Sequence, residues 1–159
     1  MRDTNQTLDA ELVETSVTDN ARYSTFNMLD RAIDGDAKAA CKALLKIREE
    51  GTEAIAIIGA VAYQLRNLLA LAGYAKTRQL AQGFKAQRIL PRRQKAVGAA
   101  VERLTMNELE QCVQLLGRAD ALYKSGQAQV CWMALEAVIL SLAGKALNSN
   151  PVLASFRVY

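Results

Sequence analysis

Residues 130–143 of this chain constrain its fold more than any other stretch, because a helix built from them is apolar on nearly every side. From Val130 to Ala143 the only charged residue is Glu136. A helix on the surface of a globular protein normally has one apolar stripe, so a helix that is apolar all round lies within a core or between the core and another molecule. The stretch is too short and too close to charged residues to indicate a membrane span. It therefore predicts a central helix with one face open to a partner protein.

A second predicted helix stands directly before this one. Thr105 and Glu108 have the spacing of a capping box, in which the hydroxyl and the carboxylate satisfy two amides at the start of a helix. Apolar residues then recur at helical spacing as far as Tyr123, and Ser125-Gly126 is typical of a helix end. Residues 105–143 are thus predicted to form a helical hairpin.

The apolar residues of the second hairpin helix fall into two stripes. The first stripe contains Trp132, Leu135, Ile139 and Leu142, and the second contains Met133, Ala137 and Leu140. An exposed second stripe would leave an apolar patch of a kind that soluble monomers rarely show. We therefore predict that the first stripe packs inward and that the second contacts neighbouring subunits. In the alternative, the long helix after Thr52 and the C-terminal tail cover both stripes within the chain.

Helical spacing continues through the rest of the chain. Its 159 residues suit one domain, leucine and alanine are abundant, and aromatic residues make up only 6%. The other predicted elements are a helix capped by Ser24, a helix from Ala37 to about Glu50 closed by Gly51, a long helix from about Thr52 to Ala72, and a helix begun by Pro91. The chain is predicted to be an all-α bundle of about five main helices plus short ones.

Three glycines qualify this prediction. Gly59 lies inside the long helix, where glycine costs about 1 kcal/mol relative to alanine, so we expect another helix to approach closely there. Gly73 and Gly83 are expected to punctuate a short helix and a connecting loop. On the long helix itself, Gln64 and Asn67 are expected to mark the polar side.

The positive charge of the chain is concentrated in one segment. The net charge is +4, yet no acidic residue occurs between Glu53 and Glu102. That interval contains eight basic residues: Arg66, Lys76, Arg78, Lys85, Arg88, Arg92, Arg93 and Lys95. Such a run contacts nucleic acid phosphates, contacts an acidic partner, or is simply a solvated face. The candidate phosphate contacts are Arg88, Arg92, Arg93 and Lys95.

Several functional classes find no support in the sequence. There is no histidine, and the three cysteines, Cys41, Cys112 and Cys131, are widely spaced inside apolar helical patterns. No phosphate-binding glycine loop and no acidic pair within an apolar stretch occur. We therefore expect no catalytic residue, no metal site and no cofactor. The first 15 residues, MRDTNQTLDAELVET, lack the apolar core of a signal peptide.

The order of these motifs resembles the C-terminal domain of the delta subunit of bacterial DNA polymerase III. The segment DNARYSTFNMLDRAIDGDAKAACKALLKIREEG resembles the helix pair that opens that domain, and AIAIIGAVAYQLRNLLALA resembles the long helix that follows. The segment ILPRRQKAVGAAVERLTMNELEQCVQLLGRADALYKSG is similar to the next two helices, and residues 132–142 are similar to the last. The resemblance covers about residues 18–145.

This resemblance implies a subunit of the clamp loader, which opens the sliding clamp and places it on primed DNA. Residues 1–20 would be the end of an AAA+-like lid domain, residues 21–146 the helical collar domain, and residues 147–159 a tail. The implied partners are the delta prime and gamma/tau subunits and primed DNA. The clamp-binding element would lie outside this chain. The implied location is the replisome in the bacterial cytoplasm, with no membrane contact.

A second functional class stays open at this point. The chain could be an independent, basic, helical DNA-binding protein that uses the region from Arg66 to Lys95. A helix-turn-helix reader needs a recognition helix with polar and basic residues at its start, and the helix begun by Pro91 is the candidate.

Overall fold

The computed structural model describes residues 20–145. They form seven helices and no strand, which confirms the all-α prediction. The helices are α1 (residues 20–33), α2 (Ala37–Glu49), α3 (Ala54–Lys76), α4 (Leu80–Ala86), α5 (Pro91–Arg103), α6 (Met106–Lys124) and α7 (Ala128–Leu142). The lid remnant was expected at residues 1–20, of which only Asn20 is described, as the first residue of α1. The tail expected at residues 147–159 lies outside the described residues.

The α6–α7 hairpin is the most extensively packed pair of helices, and α7 also packs on α2 and α3. Eight of the 15 residues of α7 are buried, so the predicted central helix is confirmed. Inside the hairpin, the Cys112 thiol donates a hydrogen bond of 3.3 Å to the Ser141 hydroxyl. This bond satisfies a polar group on α7 that would otherwise be buried without a partner.

The longest helix, α3, has the length and composition of a membrane span, a test that a core helix also passes. It packs on α6, α4, α5 and α7, and its buried positions recur at helical spacing. Two expectations for α3 are wrong. Asn67 is only 8% exposed and does not mark a polar side. A Cβ atom at Gly59 would meet no atom within 4 Å, so no helix of the described chain approaches there.

Six of the seven helices end in the same way, with a residue at positive φ. Glycine supplies that residue after α1, α2, α6 and α7, as predicted for Gly51 and Gly126. After α3 and α4 the residue is Arg78 (φ 57°) and Arg88 (φ 56°). The amide groups of the following residues, Gln79 and Ile89, donate to carbonyls five residues back, which is the Schellman arrangement. The predicted breaks at Gly73 and Gly83 are therefore wrong, because both glycines lie inside helices.

The helix starts follow the sequence more closely. Pro91 is the first residue of α5. The Glu108 amide donates to the Thr105 hydroxyl (3.1 Å) and the Thr105 amide donates to the Glu108 carboxylate (2.8 Å), which completes the predicted capping box. Ser24, by contrast, lies within α1 and does not cap it.

Arg103 joins three helices at the end of the bundle where α1, α5 and α7 terminate. From the last position of α5, the Arg103 guanidinium donates to the backbone carbonyls of Leu142 (2.9 Å), Ile33 (3.3 Å) and Ala32 (3.5 Å). These carbonyls belong to the last turns of α7 and α1, where the helix dipoles attract a cation. Arg103 therefore ties the C-terminal ends of α1 and α7 to α5.

Candidate subunit interface and basic surface

The exposed apolar surface of α7, which we call its open edge, is smaller than the apolar composition of the helix suggests. Met133 is 38% exposed, whereas Leu140 is half-buried and packs against the core. Ala137 is 1% exposed. The expectation for Ala137 therefore needs correction, because its side chain lies in the core of this chain and cannot touch a partner in this conformation. The packing of α6, α2 and α3 around α7 thus leaves Met133 exposed, covers Leu140 in part and buries Ala137.

A groove runs beside Met133, between α6 and α7. Its volume is about 630 Å³, and the exposed Val130 and Met133 form its apolar wall on α7. The groove is lined by Arg118, Ala121, Leu122, Ser125, Gln127, Val130 and Met133. We name this surface the hairpin groove. It lies at the hairpin turn, and Tyr123 joins this end of α6 to the start of α3 by donating a 3.3 Å hydrogen bond to Glu53.

A second groove lies between α7 and α2. Its floor is the half-buried Trp132, and the Arg48 guanidinium carbon stands 5.6 Å from the centre of the indole ring, within cation–π distance. Burial raises the pKa of the neighbouring Cys41 thiol to about 11, with a smaller contribution from the negative charge of Glu136. Cys41 is therefore a protonated, weakly reactive group at neutral pH.

The candidate phosphate contacts lie on the turn between α4 and α5 and on the first turns of α5. Arg88, Arg92 and Lys95 are exposed and form no ion pair with the described residues. Arg93 differs from them. Its guanidinium is 3.1 Å from the Asp30 carboxylate and 3.5 Å from that of Asp34, both at the end of α1. The charge of Arg93 is thus matched within the chain, and we remove it from the set of phosphate contacts.

Two glycine contacts hold this basic surface on the bundle. A Cβ atom on Gly83 of α4 would stand 2.8 Å from the ring of Tyr74, so only glycine allows α4 to lie against α3. On the other side, Phe84 packs against Gly98 of α5, at 3.5 Å from the position of a Cβ atom. The short helix α4 is therefore fixed between α3 and α5, together with the two arginine turns that flank it.

Sequence reasoning missed the position of Arg78 as a turn residue. Both Arg78 and Arg88 occupy the left-handed region that favours glycine, so their side chains stand on the outside of tight helix ends. Residues 74–82 contain neither glycine nor proline, which are the residues that usually end a helix. This absence was the signal that a residue of another type has to take the left-handed conformation after α3. Within residues 20–145, no three histidine, cysteine, aspartate or glutamate side chains lie close enough to hold a metal ion.

Residues 20–145 combine an all-α bundle, an apolar groove at one helical hairpin and a separate basic surface, which are features typical of a macromolecule-binding module. The chain matches the family described as the processivity clamp loader gamma complex, DNA polymerase III C-terminal domain, over residues 25–149. It belongs to that family. The resemblance drawn from the order of the motifs is confirmed.

A curated relative supports the same conclusion. DNA polymerase III subunit delta from Escherichia coli (strain K12) is 31% identical to this chain over 135 residues. The matched stretch is 85% of this chain and 39% of the relative, so the chain spans about two fifths of the length of that relative.

Proposed function

We propose that this chain is an assembly module of a bacterial clamp loader. The observation that supports this proposal is the family match over residues 25–149. The matched range includes every helix that forms the hairpin groove and the basic surface. In this role the chain joins the delta prime and gamma/tau subunits and has no catalysis or cofactor of its own. An AAA+-like lid and the clamp-binding element belong to the rest of a longer protein. The complex acts on primed DNA in the bacterial cytoplasm, at the nucleoid.

The proposed subunit contact is the hairpin groove with the open edge of α7. Met133 is its central apolar side chain, and Leu140 contributes the part of its side chain that the core leaves uncovered. Permanent subunit contacts are more apolar than transient ones and exclude water around a few large side chains. An exposed methionine beside an apolar wall meets this description, because its flexible thioether fills irregular gaps.

Met133→Asp tests this contact. We expect the variant to keep the circular dichroism and melting temperature of the parent chain but to lose co-elution with the purified delta prime and gamma/tau subunits in size-exclusion chromatography. Val113→Asp on α6 is the matched control, since Val113 is also an exposed aliphatic residue, at 44%. Unchanged co-elution of Met133→Asp would remove the hairpin groove from the interface.

A second contribution is phosphate contact by Arg88, Arg92 and Lys95. The observation that favours it is their lack of internal ion pairs, in contrast to the paired Arg93. Each phosphate contact releases counterions, so removing one lowers the salt dependence of DNA binding by about one unit of slope. For Arg92→Gln/Lys95→Gln we expect weaker binding of the assembled loader to primed DNA and a slope smaller by about two.

The control for the DNA experiment lies on α2. Lys42→Gln/Lys46→Gln removes the same charge from a different exposed surface and should leave both affinity and slope unchanged. Equal effects of the two double variants would mean that only net charge matters and would contradict a localised contact. The independent DNA-binding class is not favoured, because the family match assigns the same helices to a clamp-loader domain.

A further inference from the structure

The groove between α2 and α7 is an apolar surface that the described helices leave open, with a volume of about 440 Å³. The half-buried Trp132 forms its floor, and Leu45 of α2, which is 54% exposed, lines its side. We call this surface the α2–α7 groove. An indole ring and a leucine side chain next to each other gain free energy when another apolar group removes them from water.

The two helices that form the α2–α7 groove run antiparallel. At one end, the Arg48 guanidinium stands over the Trp132 ring. At the other end, the turn between α1 and α2 lies against the end of α7, where the Cβ position of Gly35 is 3.9 Å from the Ala143 carbonyl oxygen. This second end of the groove therefore lies beside the point where the chain leaves α7.

The end of α7 brings the next residues to the groove. Gly144 has a φ of 91°, and the Lys145 amide donates a 3.0 Å hydrogen bond to the Leu140 carbonyl, which is a Schellman end that stops the helix. A helix rises 1.5 Å per residue, so Trp132 stands about 20 Å back along α7 from Lys145. About six residues of extended chain cover that distance. Residues after Pro151 are thus within reach of Trp132.

The tail, residues 147–159, has the sequence of an extended segment with one apolar side. After Pro151, apolar residues stand at every second position: Val152, Ala154, Phe156 and Val158. Polar residues, Ser155 and Arg157, occur only between them. Successive side chains of an extended chain point to opposite faces, so this alternation predicts one apolar face. The tail contains no acidic residue, so it adds no carboxylate next to Glu136 of the groove.

The apolar segment of the tail also matches the groove in length. An extended chain from Val152 to Phe156 spans about 13 Å, and α2 rises about 10 Å from Cys41 to Arg48, the residues at the two ends of its groove lining. The family match ends at residue 149, so this segment lies beyond the part of the chain that is shared with the family.

We propose that residues 152–158 lie along the α2–α7 groove as an extended strap, with Val152 and Phe156 against Trp132 and Leu45. The strap closes this groove to other proteins and leaves the hairpin groove as the accessible apolar surface of α7. The inference concerns contacts within one chain and does not rest on the proposed function.

Trp132 is the only tryptophan of the chain, so its fluorescence reports directly on the groove. The test variant is Val152→Ser/Phe156→Ser in the full 159-residue chain. Leu153→Ser/Tyr159→Ser is the matched control, because it also replaces one aliphatic and one aromatic residue but on the opposite side of the extended segment. The emission maximum and the acrylamide quenching constant of Trp132 are measured for each chain, and circular dichroism follows the helices.

We expect Val152→Ser/Phe156→Ser to shift the emission to longer wavelength and to raise the quenching constant, because water and acrylamide reach the uncovered indole. The control should keep the emission and quenching of the parent, and all three chains should have the same circular dichroism. A synthetic peptide of residues 147–159, added to the Val152→Ser/Phe156→Ser chain, should restore the parent emission. The same peptide with both serine substitutions should not.

Four outcomes would overturn the strap. Unchanged quenching of Val152→Ser/Phe156→Ser would mean that the tail does not cover Trp132, and an equal rise in the control would mean that the contact is not one-sided. Protection that disappears when the parent chain is diluted would assign the groove to the tail of a second copy. Loss of helical circular dichroism in the test variant alone would show that the tail is part of the core. None of these measurements involves another subunit, so the proposed function stands or fails separately.

Discussion

Two helices of this bundle, α7 and α3, are similarly rich in apolar residues and end up in different surroundings. In α7, eight of 15 residues are buried, and the open part is a single edge around Met133. In α3, eight of 23 residues are buried, and the exposed side carries Ile55, Gly59 and Tyr63. The sequence of α7 predicts an open apolar face for a partner, yet α7 is largely enclosed by the other helices of the chain. The larger exposed apolar side belongs to α3.

The difference shows that apolar composition sets how much surface a helix must bury but does not say against what. α7 is the second arm of a tight hairpin, so α6 covers one side of it and α2 and α3 cover others. α3 is longer than the helices that pack on it. Its first turns extend beside α1, where the groove between the two helices stays open.

The strongest test of this comparison places a carboxylate at a buried position of α7 and, separately, at an exposed one. Ala137→Asp buries a carboxylate without a partner and should destabilise the chain by about 3–5 kcal/mol, enough to unfold a small domain. Met133→Asp should change stability by less than about 0.5 kcal/mol. Urea titration followed by circular dichroism measures both. A folded Ala137→Asp variant would mean that α7 is far less enclosed than its packing indicates.

The enclosure of the C-terminal end of α7 depends on Arg103. Replacing it with alanine removes a charged donor from three backbone carbonyls, and we expect a loss of about 2–3 kcal/mol. Arg92→Ala, at an exposed position on the same helix, should cost under about 0.5 kcal/mol. Thermal unfolding of the two variants side by side gives the comparison. Equal melting temperatures would show that the three hydrogen bonds add nothing to stability.

The C-terminal end of α3 can be probed through two glycines, Gly83 of α4, which packs on it, and Gly73 of α3 itself. Gly83→Ala forces a methyl group against Tyr74, and overpacking of this kind costs about 1–2 kcal/mol. Gly73→Ala, in open space on α3, should instead stabilise the chain by about 0.5–1 kcal/mol through helix propensity. Differential scanning calorimetry records the opposite signs. Stabilisation by both substitutions would mean that α4 does not rest on α3 as described.

The smallest expected effect is on the uncovered side of α3. Tyr63→Gln removes an exposed ring and should alter stability by less than about 0.5 kcal/mol. It should also reduce the fluorescence of a hydrophobic dye such as anilinonaphthalene sulfonate, because it removes part of an apolar patch. A loss of stability comparable to that of Gly83→Ala would place Tyr63 inside the packing of the chain.

Much of the fold could be predicted from local signals. The capping box at Thr105, the proline that begins α5 and the glycines at 51 and 126 act through hydrogen bonds and dihedral angles within a few residues. Where such signals were absent, prediction failed. The turns after α3 and α4 contain Arg78 and Arg88 at positive φ instead of glycine, and no local signal in the sequence marks them.

The exposure and ion pairing of the candidate site residues could be predicted only in part. The basic run was visible because charge is a property of composition, yet only the end of α1 separates the paired Arg93 from its unpaired neighbours. Met133 was correctly expected on an open edge, but Ala137 was not distinguishable from it by spacing. The open groove between α1 and α3 was missed because it joins residues from two helices that are distant in the sequence.

By itself, the sequence determined the helical class, most helix starts, the central place of α7, the basic segment and the family resemblance. These depend on propensity, periodicity, local capping and charge, which a stretch of chain carries wherever it is placed. Only the tertiary structure decided which apolar faces are covered, which arginine is neutralised and which glycine is a packing contact. Each of these depends on distances between helices far apart in the chain, and such distances are set by how the whole core packs.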